Sequence, residues 1–287
     1  MQRPQPKPPW LRRKLAPAGS AGLVRASLEG SGLFTVCQEA QCPNRGECYG
    51  RGEATFLLLG PACTRRCTFC AVSKQKPSSP DPQEPDNAAR AAAELGLEYV
   101  VLTMVTRDDL PDGGAAQVAA TIQRLHQSLP GVGVEALISD LGGSAEALRT
   151  VLDAGPRVLN HNLETVPRLY GELRPQARYR RSLEVLERAA AAGMLAKSGL
   201  MLGLGETRDE LLAVFDDLLA TGCRMLTLGQ YLAPSRQHHP VARYLPPEEF
   251  DSLRGEALAR GFAAVASGPY VRSSYLAAQL WLQAAAA

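Results

Sequence analysis

From residue 54 onwards, short apolar runs of strand type alternate with longer segments of helical period, about six times over. The strand candidates are Ala54 to Leu59, Tyr99 to Val105, Gly133 to Ile138, Arg157 to His161, Ala196 to Leu202 and Met225 to Tyr231. Helical period falls at Asn87 to Leu95, Ala115 to Ser128, Ala145 to Ala154, Ser182 to Ala192 and Asp209 to Thr221, with a last helix around Glu248 to Arg260. A crossover helix returns the chain in its starting direction, so the strands are parallel, and near-continuous apolar strands require cover on both faces. An open doubly wound sheet and a closed or partial barrel both meet those demands. The loop after the first strand carries Cys63, Cys67 and Cys70 in place of the Gly-x-Gly-x-x-Gly turn of a dinucleotide fold. Polar residues gather just after the strands, at Thr106 to Asp109 and Asn162 to Thr165, where barrel active sites lie. The sequence therefore predicts an α/β fold, a partial TIM-type (β/α)6 barrel over residues 54–262. A segment at 1–53 that carries cysteines precedes it, and an extension at 263–287 follows.

Six of the seven cysteines form two triplets, Cys37-x4-Cys42-x5-Cys48 and Cys63-x3-Cys67-x2-Cys70. A structural zinc site draws four ligands from paired elements, and neither triplet has a fourth cysteine or a nearby histidine, since His126, His161, His238 and His239 all lie far downstream. The odd cysteine count and the absence of a signal-peptide core argue against disulfides and for a reducing cytoplasm. An iron-sulfur cluster held by three thiolates leaves one iron open to another ligand, so two triplets point to two clusters. Cys223, before an apolar run, reads as a small buried hydrophobe.

A net charge of +2 over 287 residues argues against a dedicated nucleic-acid binder, and no run approaches the ~18 apolar residues that span a bilayer. The expectation is a soluble protein with neither nucleic acid nor membrane as partner. Basic residues nevertheless crowd the start: Arg3, Lys7, Arg12, Arg13, Lys14 and Arg25 all precede Glu29, the first acidic residue. Pro4, Pro6, Pro8 and Pro9 preclude the amphipathic helix of a transit peptide, which leaves an extended, at least partly ordered tail. The proline-rich stretch Ser73 to Pro85 reads as a surface loop.

Cys63-Thr-Arg-Arg-Cys67-Thr-Phe-Cys70 resembles the cysteine signature of the radical S-adenosylmethionine enzymes, down to the aromatic before the last cysteine. Cys37-Gln-Glu-Ala-Gln-Cys42-Pro-Asn-Arg-Gly-Glu-Cys48 is similar to the auxiliary-cluster segment of the lipoyl synthases. The likeness extends through Lys7-Pro-Pro-Trp10-Leu-Arg-Arg-Lys14, Arg107-Asp-Asp-Leu-Pro-Asp-Gly-Gly114, Asn160-His-Asn-Leu-Glu-Thr165, Leu228-Gly-Gln-Tyr-Leu232 and Val271-Arg-Ser-Ser-Tyr275. Two departures stand out: Gln41 where a small residue is expected, and Tyr49 where the aromatic is often Trp.

The resemblance implies a lipoate-biosynthesis enzyme, a sulfurtransferase that adds two sulfur atoms at C6 and C8 of a protein-bound octanoyl-lysine chain, with S-adenosylmethionine as cosubstrate. It implies two four-iron, four-sulfur clusters, one on Cys63, Cys67 and Cys70, the other on Cys37, Cys42 and Cys48. A serine of Arg272-Ser273-Ser274-Tyr275, Ser274 in preference to Ser273, would complete the second cluster, which supplies the sulfur. No catalytic residue beyond the clusters is expected. Asn162 and Glu164 are candidates for the ribose and amino-acid parts of the cosubstrate, and the strand from Lys197 to Glu206 resembles the glycine-containing strand that passes the adenine. His161 reads as a core histidine, and His238 and His239 as exposed loop residues without a role. The implied partners are an octanoylated carrier, either a 2-oxoacid dehydrogenase lipoyl domain or the glycine cleavage H protein, and a small electron-transfer protein. Arg12, Arg13 and Lys14 would steer an acidic carrier. The alternatives weighed are another radical sulfur-inserting enzyme and a cysteine-rich structural zinc protein.

Overall fold

The computed structural model describes residues 6–12 and 21–287, the side chains of Ala21 and Leu23 aside, so Arg3, Arg13 and Lys14 fall outside the described residues. These residues form two compact units, one of 21–65 and 71–159, the other of 6–12, 66–70 and 160–287.

In the first unit α1 (Ala21–Ser31), β1 (Phe34–Thr35), α2 (Val36–Glu39) and α3 (Arg45–Gly50) precede β2 (Thr55–Leu58). Then come α4 (Glu84–Glu94), β3 (Tyr99–Met104), α5 (Ala115–Ser128), β4 (Gly133–Leu137) and α6 (Ala145–Asp153). β2, β3 and β4 are parallel neighbours, with Thr55 opposite Val101 and Tyr99 opposite Gly133. Every residue of β2 is buried, as a strand covered on both faces must be. β4 opens on a glycine because a Cβ at Gly133 would stand 2.5 Å from the Tyr99 ring.

α4 begins at Glu84, three residues before the Asn87 expected from the helical period. Glu84 is buried, and both its carboxylate oxygens accept the Leu59 N–H, at 2.9 and 3.0 Å, while Gln117 Nε2 donates to Oε2 at 3.0 Å. That anchor fixes Leu59 in the left-handed region (φ 70), where a non-glycine residue turns the chain out of β2 towards Cys63.

The chain leaves the first unit within β5 (Val158–Asn160). The second unit continues through α7 (Tyr170–Leu173), α8 (Tyr179–Ala191), β6 (Leu195–Leu202), α9 (Arg208–Ala220), β7 (Met225–Gln230), α10 (Pro247–Arg260), β8 (Ala264–Gly268) and α11 (Ala277–Ala285). β6, β7 and β8 run parallel, with Lys197 opposite Met225 and Met225 opposite Ala264. The core between these strands and their helices is built from Leu186, Leu202, Phe215, Leu226, Phe250 and their neighbours. A reciprocal capping box of Thr207 and Glu210 starts α9, an arrangement whose cap alone contributes about 1 kcal/mol. The tail is ordered where it is described, with Trp10 Nε1 donating to Leu245 O at 3.1 Å.

All six expected strands are present as β2 to β7, and all six expected helices as α4, α5, α6, α8, α9 and α10. Two strands and several helices were not expected. β8 is Ala-Val-Ala-Ser-Gly, too poor in branched and aromatic residues to announce a strand, and it pairs because β7 offers a parallel edge. β1 is only two residues long and pairs antiparallel with β2. Among the described residues no helix is long and apolar enough to cross a membrane.

Candidate cofactor-binding site

The first triplet sits wholly in the first unit, on two short helices. Thr35 caps α2, its Oγ1 accepting the Gln38 N–H at 3.3 Å, and the same hydroxyl shares a 2.8 Å hydrogen bond with buried Tyr49 of α3. Cys37 on α2 and Cys48 on α3 are thus tied to one hydroxyl, and the Cys42 N–H donates to Cys37 O at 3.1 Å between them. Tyr49 takes the place of the expected Trp and makes this bond through its phenolic oxygen. Gln41, where a small residue is expected, lies in the left-handed region (φ 51), a conformation uncommon for any residue but glycine. Burial pushes the Cys37 thiol up to about 11, with repulsion from Cys42 adding to it. Burial pushes Cys48 up to about 12, with Cys37 and then Glu53 adding to it against the pull of Arg51. A positively charged metal centre reverses both shifts, since it favours the thiolate. Among the described residues no three His, Cys, Asp or Glu side chains are placed to hold one metal ion. A four-iron cluster asks for something different, soft thiolates bound to separate irons.

The second triplet is anchored residue by residue. Cys63 belongs to the first unit, where its N–H donates to Ser73 O at 2.8 Å and its sulfur accepts the Arg65 N–H at 3.4 Å. Thr64 donates twice to Thr106 O, from its N–H at 3.0 Å and its hydroxyl at 2.9 Å. The Arg65 guanidinium, 5% exposed, holds both Asp108 oxygens at 2.8 and 2.9 Å and Asp140 at 2.5 Å. Arg107 does the same for Asp109 and reaches Leu59 O at 3.5 Å. The Arg107-Asp108-Asp109 run thus braces the loop that presents Cys63.

Cys67 and Cys70 belong to the second unit, joined by a 3.3 Å bond from the Cys70 N–H to Cys67 O. Between them, Thr68 donates from its N–H to Leu173 O and from its hydroxyl to Glu172 O, and its carbonyl accepts the His239 N–H at 2.9 Å. Phe69 packs against the core of this unit. This corrects the reading of His238 and His239 as exposed residues without a role: both are half-buried, and His239 secures Thr68 while accepting the Tyr231 hydroxyl on its carbonyl at 2.7 Å. The apolar neighbours Ala233 and Val241 pack against the core and draw the segment inward. Cys223 and His161 are buried in the core as expected, with burial pushing the Cys223 thiol up to about 12.

The second unit also builds a polar cradle around a glycine of β6. A Cβ placed on Gly199 would stand 2.6 Å from Thr227 Oγ1, 2.8 Å from Asn162 Oδ1 and 3.1 Å from Ser273 Oγ. Asn162 Nδ2 donates to Glu164 Oε1 at 3.1 Å and to Ser273 Oγ at 2.6 Å, while its buried Oδ1 has no hydrogen-bond partner among the described residues. Glu164 holds a left-handed backbone (φ 67), a strain of about 1–3 kcal/mol, fixed by its N–H to Gly199 O and by the Met201 N–H to its own carbonyl. Burial raises the pKa of its carboxyl, against the pull of Arg174, Asn162 and Arg272. Lys197 is buried two residues before Gly199, on the same side of β6 by the two-residue period of a strand. At the end of the strand Glu206 accepts the N–H groups of Gly203 and Leu204 at 2.6 and 2.9 Å.

Asn162 and Glu164 thus lie beside Gly199 of the strand that carries Lys197, and Ser273 joins them unforeseen. The signal for Ser273 is the bare glycine within β6, which marks a close approach by something else. The acceptor atoms of Asn162 and Glu164 fit a ligand that brings hydroxyl or ammonium donors.

The Radical SAM superfamily profile matches residues 57–218. The chain is 55% identical over 277 residues to the lipoyl synthase of Trichlorobacter lovleyi, covering 96% of this chain and 98% of that one. It is 54% identical to the lipoyl synthase of Geobacter metallireducens, covering 95% and 96%, and 52% identical to that of Chlorobium phaeovibrioides, covering 94% and 96%. In fold it is similar to methylornithine synthase, with a TM-score of 0.58 and 15% identity over 95% of this chain and 81% of that one. It also resembles Streptococcus suis SuiB bound to S-adenosylmethionine, with a TM-score of 0.56 and 11% identity over 76% and 50%. The α/β fold is the partial barrel of these enzymes, and identity of this order over nearly the whole length settles the descent: the chain belongs to the lipoyl synthases, within the radical S-adenosylmethionine superfamily.

Proposed function

We propose that this lipoyl synthase inserts sulfur at C6 and C8 of an octanoyl chain amide-linked to a carrier lysine, drawing both atoms from the auxiliary cluster. The enzyme uses four-iron, four-sulfur clusters and S-adenosylmethionine, and it acts on octanoylated carrier proteins. The observation that carries the finer reading is the first triplet, three cysteines on one segment braced by Thr35 and Tyr49 and distinct in sequence from the superfamily motif. When bound, the clusters and cosubstrate supply the electron, the radical and the sulfur.

The chain's own part is to bind and to position. Cys63, Cys67 and Cys70 hold one cluster, and Cys37, Cys42 and Cys48 hold the other with Ser274. Asn162, Glu164 and Lys197 bind S-adenosylmethionine at the cradle around Gly199. Residues 1–53 serve as tail and auxiliary segment, 54–262 as the radical-generating barrel and 263–287 as the extension that brings the serine. The carrier is a 2-oxoacid dehydrogenase lipoyl domain or the glycine cleavage H protein, the electron comes from a small electron-transfer protein, and the setting is the cytoplasm. Arg12 is exposed and, with Arg13 and Lys14 outside the described residues, gives the tail a charge that suits an acidic carrier.

Anaerobically reconstituted protein, given S-adenosylmethionine, a reductant and an octanoyl-lysine peptide, is expected to yield a product bearing two sulfurs by mass spectrometry. A methylthio product, or none, would refute the reading. For the cradle, Glu164→Gln is expected to weaken S-adenosylmethionine binding by about tenfold or more, since it removes a charged hydrogen-bond acceptor. Gly199→Ala should weaken it as strongly by placing a methyl against three oxygens. Equilibrium dialysis on proteins of equal iron content measures both.

A further inference from the structure

Two serines stand side by side near the end of the chain, and the structure gives their hydroxyls different surroundings. The segment that carries them is seated firmly within the second unit. Gly229 of β7 has no side chain to keep it away, as a Cβ there would fall 2.1 Å from Val271 O. The Val271 N–H donates to Gly268 O at 3.0 Å, and the Tyr275 N–H closes a turn onto Arg272 O at 2.9 Å. From this seat the Ser273 hydroxyl reaches the Gly199 cradle and accepts the Asn162 amide at 2.6 Å.

A primary amide offers two N–H donors and one carbonyl acceptor. Both donors of Asn162 are spent, one on Glu164 Oε1 and one on Ser273 Oγ. The Glu164 carboxylate, which only accepts, fixes which way the amide faces, because a flipped amide would set its oxygen against it, and Ser273 holds the amide in that pose through its second N–H. Its oxygen is thereby held buried and unsatisfied, 2.8 Å from the space a Cβ on Gly199 would fill. An unsatisfied buried acceptor costs free energy that a donor-bearing ligand recovers.

The geometry assigns Ser273 as a positioning residue for S-adenosylmethionine: it locks the Asn162 amide so that Oδ1 meets a hydroxyl or ammonium donor of the cosubstrate. This rests on the reading of Asn162 and Glu164 as cosubstrate ligands. It gives the adjacent serines separate tasks, Ser273 at the cosubstrate and Ser274 at the auxiliary cluster. One short turn then serves both cofactors.

The test is equilibrium dialysis of S-adenosylmethionine against anaerobically reconstituted wild-type protein, Ser273→Ala, Ser273→Thr, Asn162→Ala and the Ser273→Ala/Asn162→Ala double variant, with iron content measured for each. Ser273→Ala is expected to bind about fivefold more weakly, the effect of one lost hydrogen bond on an otherwise organised site. Ser273→Thr, which keeps the hydroxyl, should stay within about twofold of wild type. The double variant should bind no more weakly than Asn162→Ala, because Ser273 acts only through that amide. Iron content should be the same in all five proteins. Wild-type binding by Ser273→Ala beside impaired Asn162→Ala would overturn the positioning role and leave the cosubstrate site standing. Wild-type binding by Asn162→Ala would remove the site itself. Loss of auxiliary iron from Ser273→Ala would make Ser273 the cluster ligand and overturn the division of labour.

Discussion

A Cys42→Ala protein is expected to cleave S-adenosylmethionine and release 5'-deoxyadenosine while forming no lipoyl product. Cys37→Ala and Cys48→Ala should behave alike, with iron falling from about eight to about four atoms per chain. Cys63→Ala, Cys67→Ala and Cys70→Ala should instead abolish cleavage and product together. The division follows from how the triplets are built. The first is braced within its own segment through Thr35 and Tyr49, whereas Cys63 depends on Thr64 and Arg65 and the 67–70 loop on Thr68. Deoxyadenosine and lipoyl product, assayed separately, check the split, and normal lipoyl formation by Cys42→Ala would sink it.

The second large effect belongs to Ser274. With the Ser273 hydroxyl engaged by Asn162, the proposed ligand of the auxiliary cluster is Ser274. An alkoxide is a harder ligand than a thiolate, so the iron it holds is the one most readily given up when sulfur is removed. Ser274→Ala should leave three thiolates and an exposed iron, with early loss of that iron and a collapse in lipoyl yield. Ser274→Cys should retain the cluster at least as firmly as wild type and yet release sulfur less readily. The two variants therefore depart from wild type in opposite directions in cluster retention while both lose product. Mössbauer spectra and iron content follow retention, and mass spectrometry follows yield. A Ser274→Ala protein with the wild-type cluster and yield would refute serine ligation at this position.

What the sequence made legible divides along physical lines. The helix Ala115–Ser128 and the strands Tyr99–Met104 and Met225–Gln230 carry strong periods in bulky apolar residues, and the structure returns them within a residue. β8 escaped because its residues are small and its pairing depends on a neighbour far away in sequence. α1 escaped because Gly22 and Gly30 weaken its helical signal, and α2 and α3 because helices of four and six residues have no period to detect. The cysteine triplets stood out in the sequence by their spacing. Ser273 and Asn162, 111 residues apart, were not, since a contact between side chains on separate strands' ends leaves no mark in local pattern. His239 was misread because polarity suggested exposure, whereas its backbone bond to Thr68 decides its place.

The two-residue strand β1 has a consequence for how such an enzyme can be shortened. By pairing Phe34 with Leu57 and Thr35 with Phe56, it occupies hydrogen-bonding groups on the flank of β2 that would otherwise be bare. An uncovered flank on a strand as apolar as Thr-Phe-Leu-Leu is a template for joining another chain. The same threonine that organises the sulfur-bearing segment also helps shield the sheet from self-association. A chain beginning after residue 50 would keep the radical-generating motif but gain a sticky margin, and its first failing would be aggregation.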